Sequence, residues 1–261
     1  MSQNLLSLRD VTVTVNVSGR EKKIVDSVDL DIPELSVVAL VGGSGSGKTT
    51  TGFSILRLLA PPLTAKKGEV LFKGRNLFYC SKEQMRKVRG GEISMIFQEP
   101  INAFNPVFSI EYQIDEVMRY HTGLNSSQRR QRVLELLDLV GITEPKRVAK
   151  NYPHQLSGGM RQRAMIAQAI AADPQLIIAD EPTSSLDVTL QAKIIELFRK
   201  LKKELKLSIL LITHDLGMVS HLADKVAVMT NGKIVESGET KEVLENPQHE
   251  YTRELMEALE V

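Results

Sequence analysis

Val37-Val-Ala-Leu-Val-Gly-Gly-Ser-Gly-Ser-Gly-Lys-Thr49 decides how the rest of the chain is read. Val37 to Val41 is an unbroken apolar run of the length expected for a strand buried on both faces. Gly42-x-x-x-x-Gly47-Lys48-Thr49 follows at once, and beyond it Phe53, Leu56 and Leu59 recur as one face of a helix-like run. Strand, glycine loop and helix in that order is the setting of a phosphate-binding P-loop. Gly42, Gly43, Gly45 and Gly47 let the backbone N–H groups of residues 43 to 48 turn inward, where they can cradle β- and γ-phosphates. The helix N-terminus adds the positive end of its dipole, and Lys48 a mobile point charge. Thr49 offers a hydroxyl to Mg²⁺. Ser44, Ser46 and Thr50 complete the candidate nucleotide-binding set. The stretch predicts binding of a nucleoside triphosphate.

Outward from the loop, the chain reads as one α/β domain of 261 residues, 42% apolar and 25% charged, with ample core material. Lysine and arginine number 33 against 32 acids, so a net charge of +1 gives no global field that would argue for a nucleic-acid partner. The single cysteine, Cys80, excludes an internal disulfide and a cysteine-only metal cluster. The longest apolar runs are strand-sized, far below the ~20 residues a membrane span needs. No N-terminal stretch has the form of a signal peptide. The expectation is therefore a cytosolic chain that does not cross a bilayer by itself.

Residues 5–17 alternate around Leu6, Leu8, Val11 and Val13, and Ile24 to Ile32 repeats the pattern after a turn at Ser18-Gly19-Arg20. An antiparallel layer ahead of the P-loop strand follows, continued by Glu69–Phe72 and Asn76–Tyr79. Pro61-Pro62 is expected to end the P-loop helix. Ile93–Phe97 is a second core strand, Pro100–Pro106 a loop, and Gln128–Val140 a helix with Ser127 at its N-cap and Gly141 just past its end. Ser157 opens an alanine-rich helix, Leu176–Ala179 is a buried strand, and Thr189–Leu205 an amphipathic helix. Asn231-Gly232 signals a type I′ hairpin, and Tyr251–Leu259 a last short helix. Strands alternating with helices imply a mainly parallel sheet with right-handed crossovers.

Three apolar strands end in polar residues of interest. Asp180 and Glu181 close the strand at Leu176, Gln98 follows Ile93–Phe97, and His214 follows Ser208–Ile212. Ligands meet open α/β sheets at such carboxyl ends. Asp180 can hold Mg²⁺ together with Thr49, while Glu181 polarises a water. Gln98 and His214, each unremarkable alone, gain weight by sharing that edge. Ser157-Gly158-Gly159 is a second half-grip for phosphate, set at a helix start outside the P-loop unit. One lysine and two half-grips suggest that the second grip serves a nucleotide held by another copy.

In order, Gly42–Thr49, Gln98, Leu156-Ser-Gly-Gly-Met160, Leu176–Glu181, Ser185-Leu-Asp187 and His214 resemble the ATP-binding cassette family over nearly the whole chain. Leu-Ser-Gly-Gly is far more specific than a P-loop. The resemblance implies a P-loop NTPase-type, mainly parallel sheet with an N-terminal antiparallel β layer and an inserted helical subdomain. The core would comprise about 1–99 and 173–261, and the helical subdomain about 100–172. It implies that Glu181 is general base, His214 a γ-phosphate contact, and Gln98 a link between Mg²⁺ and a transmembrane permease. Ser157, Gly158, Gly159, Met160 and Asp187 would reach the nucleotide of a second ATPase subunit, homo- or heterodimeric, in a head-to-tail dimer holding two ATP. Finer matches at Ile96–Pro100, Asn151–Gln155 and His249-Glu-Tyr-Thr-Arg253 resemble ATPase subunits of peptide/nickel importers, which work with an extracytoplasmic solute-binding protein. The implied cofactors are ATP and Mg²⁺, and the implied place is the cytoplasmic face of the membrane. A soluble cassette ATPase clamping DNA or ribosomes, and a P-loop kinase, are the alternative readings. One departure concerns the base. Family members place an aromatic in the first strand, about where Val15 stands, yet no Phe, Tyr, Trp or His precedes Phe53. An apolar contact, or an arginine such as Arg20, is the candidate partial substitute.

Overall fold

A computed structural model describes residues 4–17, 19–184 and 186–257, so Ser18, Ser185 and Leu259 of the elements expected above lie outside it. The chain divides into two compact units, Met1–Met85 with Lys206–Val261, and Arg86–Leu205.

The first unit opens with the antiparallel strands β1 (Asn4–Val17) and β2 (Arg20–Pro33). Leu6, Leu8, Val11 and Val13 are all fully buried although their parity changes between Leu8 and Val11. The β1–β2 register shifts between those residues, and Asp10 sits at φ 50. An extra residue there restores the inward face, as a β-bulge does. β3 (Val37–Val41) is buried at every position, and each such aliphatic side chain stabilises by roughly 1.5–3 kcal/mol. The P-loop leads into α1 (Lys48–Ile55). This helix stops well before Pro61-Pro62. Arg57 takes φ 52, its N–H bonds to Ser54 O at 3.1 Å, and the Leu58 N–H reaches Phe53 O at 2.9 Å. That is the Schellman pairing, with an arginine in the position glycine usually fills. Leu59 is thus outside the helix, whose buried side chains include Thr51, Ser54 and Ile55. β4 (Leu63–Phe72) and β5 (Arg75–Asn76) complete a four-stranded layer in the order β2-β1-β4-β5. Residues 77–79 form a 3-10 turn rather than strand, because the Asn76 side chain caps it by accepting the Phe78 N–H at 3.1 Å.

After α2 (Lys82–Val88), the second unit contains β6 (Ile93–Ile96), α3 (Pro100–Ala103), α4 (Ile110–His121), α5 (Ser126–Leu139), α6 (Pro145–Ala149), α7 (Gly158–Ala169), β7 (Leu176–Asp180) and α8 (Val188–Leu205). Pro100 starts a helical turn where a loop was expected, its fixed φ being suited to a first helical position. The N-cap of α5 is Asn125, not Ser127. Asn125 accepts the Gln128 N–H at 3.0 Å while Gln128 accepts the Asn125 N–H at 2.9 Å, a reciprocal box that Ser127 cannot form. Gly141, at φ 75, ends the helix as expected. Gln113, buried in α4, accepts from the Asn105 N–H and donates to Asn105 O and Phe108 O, fixing the segment before the helix. Ile194, Leu197, Phe198 and Leu201 form the buried stripe of α8.

Back in the first unit, β8 (Ser208–Thr213), α9 (Leu216–Leu222), β9 (Lys225–Thr230), β10 (Lys233–Glu239), α10 (Thr240–Glu245) and α11 (Glu250–Glu257) follow. The strands run β10-β9-β3-β8, with β3 parallel to both β8 and β9. β9 and β10 form the expected hairpin, with Asn231 and Gly232 at φ 48 and 80, the signs a type I′ turn demands. No helix among the described residues is long and apolar enough to cross a membrane.

Candidate functional site

In the first unit the P-loop is packed from behind by backbone. A Cβ on Gly42, at φ 150, would lie 2.0 Å from Met229 O, and one on Gly47, at φ 109, 2.6 Å from Ile24 O. Only glycine lets the loop lie this close. The hairpin braces it further, since the Gly232 N–H donates to Ser46 O at 2.9 Å and the Asp26 N–H to Gly232 O at 2.8 Å. The type I′ turn thus has a second role that periodicity does not reveal.

Inside the loop, Lys48 is buried and its Nζ donates to Gly42 O at 2.7 Å and Gly43 O at 3.0 Å. The Ser46 hydroxyl is buried and has no hydrogen-bond partner among the described residues. Its oxygen lies on the side of Gly42 that is packed by Met229 O, behind the loop. Among the candidate residues Ser44 and Gly45 are exposed, and Gly43, Thr49 and Thr50 half-buried. The Gly43 N–H donates to the Tyr251 hydroxyl of α11 at 2.8 Å. Val41 and Thr213 are the last paired residues of β3 and β8, so Gly42 and His214 leave the sheet side by side at its carboxyl edge. His214 is exposed. Asp215 after it caps α9 by accepting the Met218 N–H at 2.9 Å.

The second unit repeats that edge geometry. β6 and β7 are parallel, with Ile96 opposite Ala179, so Gln98 and the Asp180-Glu181 pair emerge at the same end. Asp180 is 2% exposed, whereas Gln98 is exposed and Glu181 half-buried. Glu181 stands in the left-handed region at φ 47, a conformation that costs about 1–3 kcal/mol and recurs at functional sites. Its carbonyl accepts the Ser184 N–H at 3.2 Å and hydroxyl at 3.1 Å, and these bonds hold the turn.

Ser157, exposed, caps α7 by accepting the Met160 N–H at 3.3 Å. Gly158 is exposed, Met160 half-buried and Gly159 buried. A Cβ on Gly159 would meet Leu190 of α8 at 3.2 Å, so this helix start rests on the turn after Asp187. Asp187 is itself the α8 cap, accepting the Leu190 N–H at 3.0 Å. Sequence reading singled out Asp187 but not Leu190, whose spacing marks it only as one more apolar residue of an amphipathic helix. Val15, the expected base-contact position, is half-buried between Lys22 and Leu63 in β1. Arg20, the first residue of β2, is exposed.

The first unit offers the Thr49 hydroxyl, and the second the Asp180 carboxylate and the Gln98 amide oxygen, each a hard oxygen of the kind Mg²⁺ takes. The first unit carries a loop of inward-turning N–H groups suited to an anion and a histidine at a strand's carboxyl end; the second carries a glutamine and two carboxylates at such ends.

A family described as ABC transporter matches residues 25–184. The chain is 50% identical to the peptidoglycan transport ATP-binding protein YejF of Agrobacterium fabrum, over 98% of this chain and 47% of that one. It is 44% identical to the oligopeptide transport ATP-binding protein OppD of Bacillus subtilis, over 98% of this chain and 72% of that one. The chain thus spans about half the length of the first relative and about three quarters of the second. Among solved structures, a dimeric bacterial ABC transporter cassette has a TM-score of 0.81 at 28% identity, covering 90% of this chain and 98% of that one. The same cassette in a post-hydrolysis state bound to ADP and Pi gives the same values.

Proposed function

The chain belongs to the ABC transporter family, and from that premise we propose that it binds and hydrolyses ATP to energise a membrane importer of peptides or a related small solute, nickel included. The observation that carries this is the P-loop itself, with the buried Lys48, in a chain that matches transport ATP-binding proteins over 98% of its own length.

In this reading the N–H groups of residues 44 to 48 enclose the phosphates, that of Gly43 being held by Tyr251, Thr50 lies beside them, and Lys48 offsets the phosphate charge. Glu181 takes a proton from the attacking water, and His214 holds the γ-phosphate in line. Thr49, Asp180 and Gln98 would hold Mg²⁺, which when bound neutralises charge on the β- and γ-oxygens. Ser157, Gly158, Gly159, Met160 and Asp187 complete the site of a second ATPase subunit, so a monomer hydrolyses poorly. Permease subunits dock on the ATPase pair at the cytoplasmic membrane face, and a solute-binding protein delivers cargo from outside. Purification from solubilised membranes tests this. Integral membrane proteins should co-purify, and ATP should turn over with no added acceptor. Recovery with ribosomes or DNA, or turnover only with a metabolite acceptor, would replace this reading with a clamp or a kinase.

The absent aromatic gives a sharper expectation. Stacking contributes ~1–3 kcal/mol per base in nucleic-acid systems, so the phosphates carry most of the affinity here. Titration should give Kd values for ATP and GTP within about tenfold of each other. A larger preference for ATP would mean that another group grips adenine.

A further inference from the structure

The segment His249-Glu-Tyr-Thr-Arg253 has no part in the reading above, yet it touches the phosphate loop. Tyr251 accepts the Gly43 N–H at 2.8 Å, across 208 residues of sequence. A Cβ built on Gly43 would come 3.1 Å from that hydroxyl, so α11 lies directly against the loop. The carbonyl of the same peptide, Gly42 O, accepts from Lys48 Nζ at 2.7 Å. One peptide group is therefore held at both ends, by a phenol at its N–H and an ammonium at its C=O. Turning it would break both bonds.

The helix that carries Tyr251 is itself anchored. Glu236 of β10 accepts the Gln248 N–H at 2.8 Å and the His249 N–H at 3.0 Å. Partial burial works against the charge of Glu236, but the groups around it, these N–H donors and the charge of His249 among them, hold the carboxyl below the usual carboxylate range. Arg253 donates to Gln248 O at 2.9 Å, and the His249 ring accepts the Tyr251 N–H at 3.1 Å. The phenol is thus presented from a tied turn on the sheet that carries the P-loop.

We infer that Tyr251 is a positioning residue for nucleotide binding: its hydroxyl clamps the Gly42–Gly43 peptide and keeps the phosphate loop in its binding shape. This rests on the ATP-binding reading and adds to it a role for α11. A loop already in shape loses less conformational freedom when phosphate arrives, so the clamp strengthens binding without touching the ligand.

Tyr251→Phe keeps the ring and removes only the hydroxyl. In nucleotide-free wild-type protein the Gly43 amide should be protected from hydrogen exchange, and the substitution should remove that protection. The Kd for MgATP should rise about fivefold, the size of one modest hydrogen bond, with melting within about 3 °C of wild type. Unchanged Gly43 exchange, an unchanged Kd or a tighter Kd would each overturn the proposal, as would a large loss of stability without a change in Kd. A wild-type chain that binds no MgATP would sink the ATP-binding reading, and the Gly43 exchange would still decide whether the clamp exists.

Discussion

Glu181→Gln should leave nucleotide bound and abolish its turnover. The amide matches the carboxylate in size and keeps a hydrogen-bonding oxygen, but it cannot take a proton from water. General bases contribute about 10²–10⁴-fold, so kcat should fall by at least ~100-fold while the Kd for MgATP stays within about threefold. The fold should not suffer. Glutamine pays the same left-handed cost at φ 47, and the bonds from Ser184 reach the Glu181 carbonyl, not its side chain. With hydrolysis blocked, ATP should hold two copies together, visible as an ATP-dependent dimer in size-exclusion chromatography with light scattering. Turnover near the wild-type rate would show that the proton leaves by another route, with His214 the next candidate.

How far the sequence alone reaches differs from element to element. β3 and the P-loop are legible because one apolar run, four glycines and a lysine at fixed spacing admit few other structures. Asn231-Gly232 is equally plain, since both residues must take positive φ and few others do so cheaply. The end of α1 is not legible. Arg57 adopts a glycine-like conformation, and its guanidinium donates to Cys80 O at 2.5 Å, a partner far along the chain that no local pattern announces. The bulge at Asp10 hides in a similar way, for a parity change in an apolar pattern is visible but its position is not. At the α5 cap two residues qualify by type. The choice of Asn125 over Ser127 rests on the reciprocal bond from Gln128.

The same division runs through the candidate site. Gln98, Asp180, Glu181 and His214 can be found because each follows an apolar run, and the parallel registers of β6 with β7 and β3 with β8 set them at strand ends. What lies behind the glycines of the P-loop and of the α7 start is out of the sequence's reach. Met229 O against Gly42, Ile24 O against Gly47, Leu190 against Gly159 and Tyr251 on Gly43 are all tertiary contacts. They decide how firmly a motif is held, which residue type and spacing cannot encode.

Lys48→Ala should act on binding itself, by an amount that depends on phosphate. The ammonium is buried, at 7% exposure, where its charge acts strongly on an anion entering the loop. A unit charge about 4 Å from a phosphate oxygen contributes on the order of 4 kcal/mol at the effective dielectric of a protein surface. Part of that is returned because Nζ must leave Gly42 O and Gly43 O, and what remains corresponds to roughly 100-fold in the Kd for ATP. The loop's own shape offers a competing explanation, since removing the amine also frees two carbonyls. A graded titration separates the two. If Lys48 acts through phosphate charge, the loss should be largest for ATP, smaller for ADP and absent for adenosine, and added salt should narrow the difference. If it serves only to hold the loop, ATP and ADP should lose affinity equally. That second pattern would move the electrostatic role from Lys48 to the backbone N–H groups and the dipole of α1.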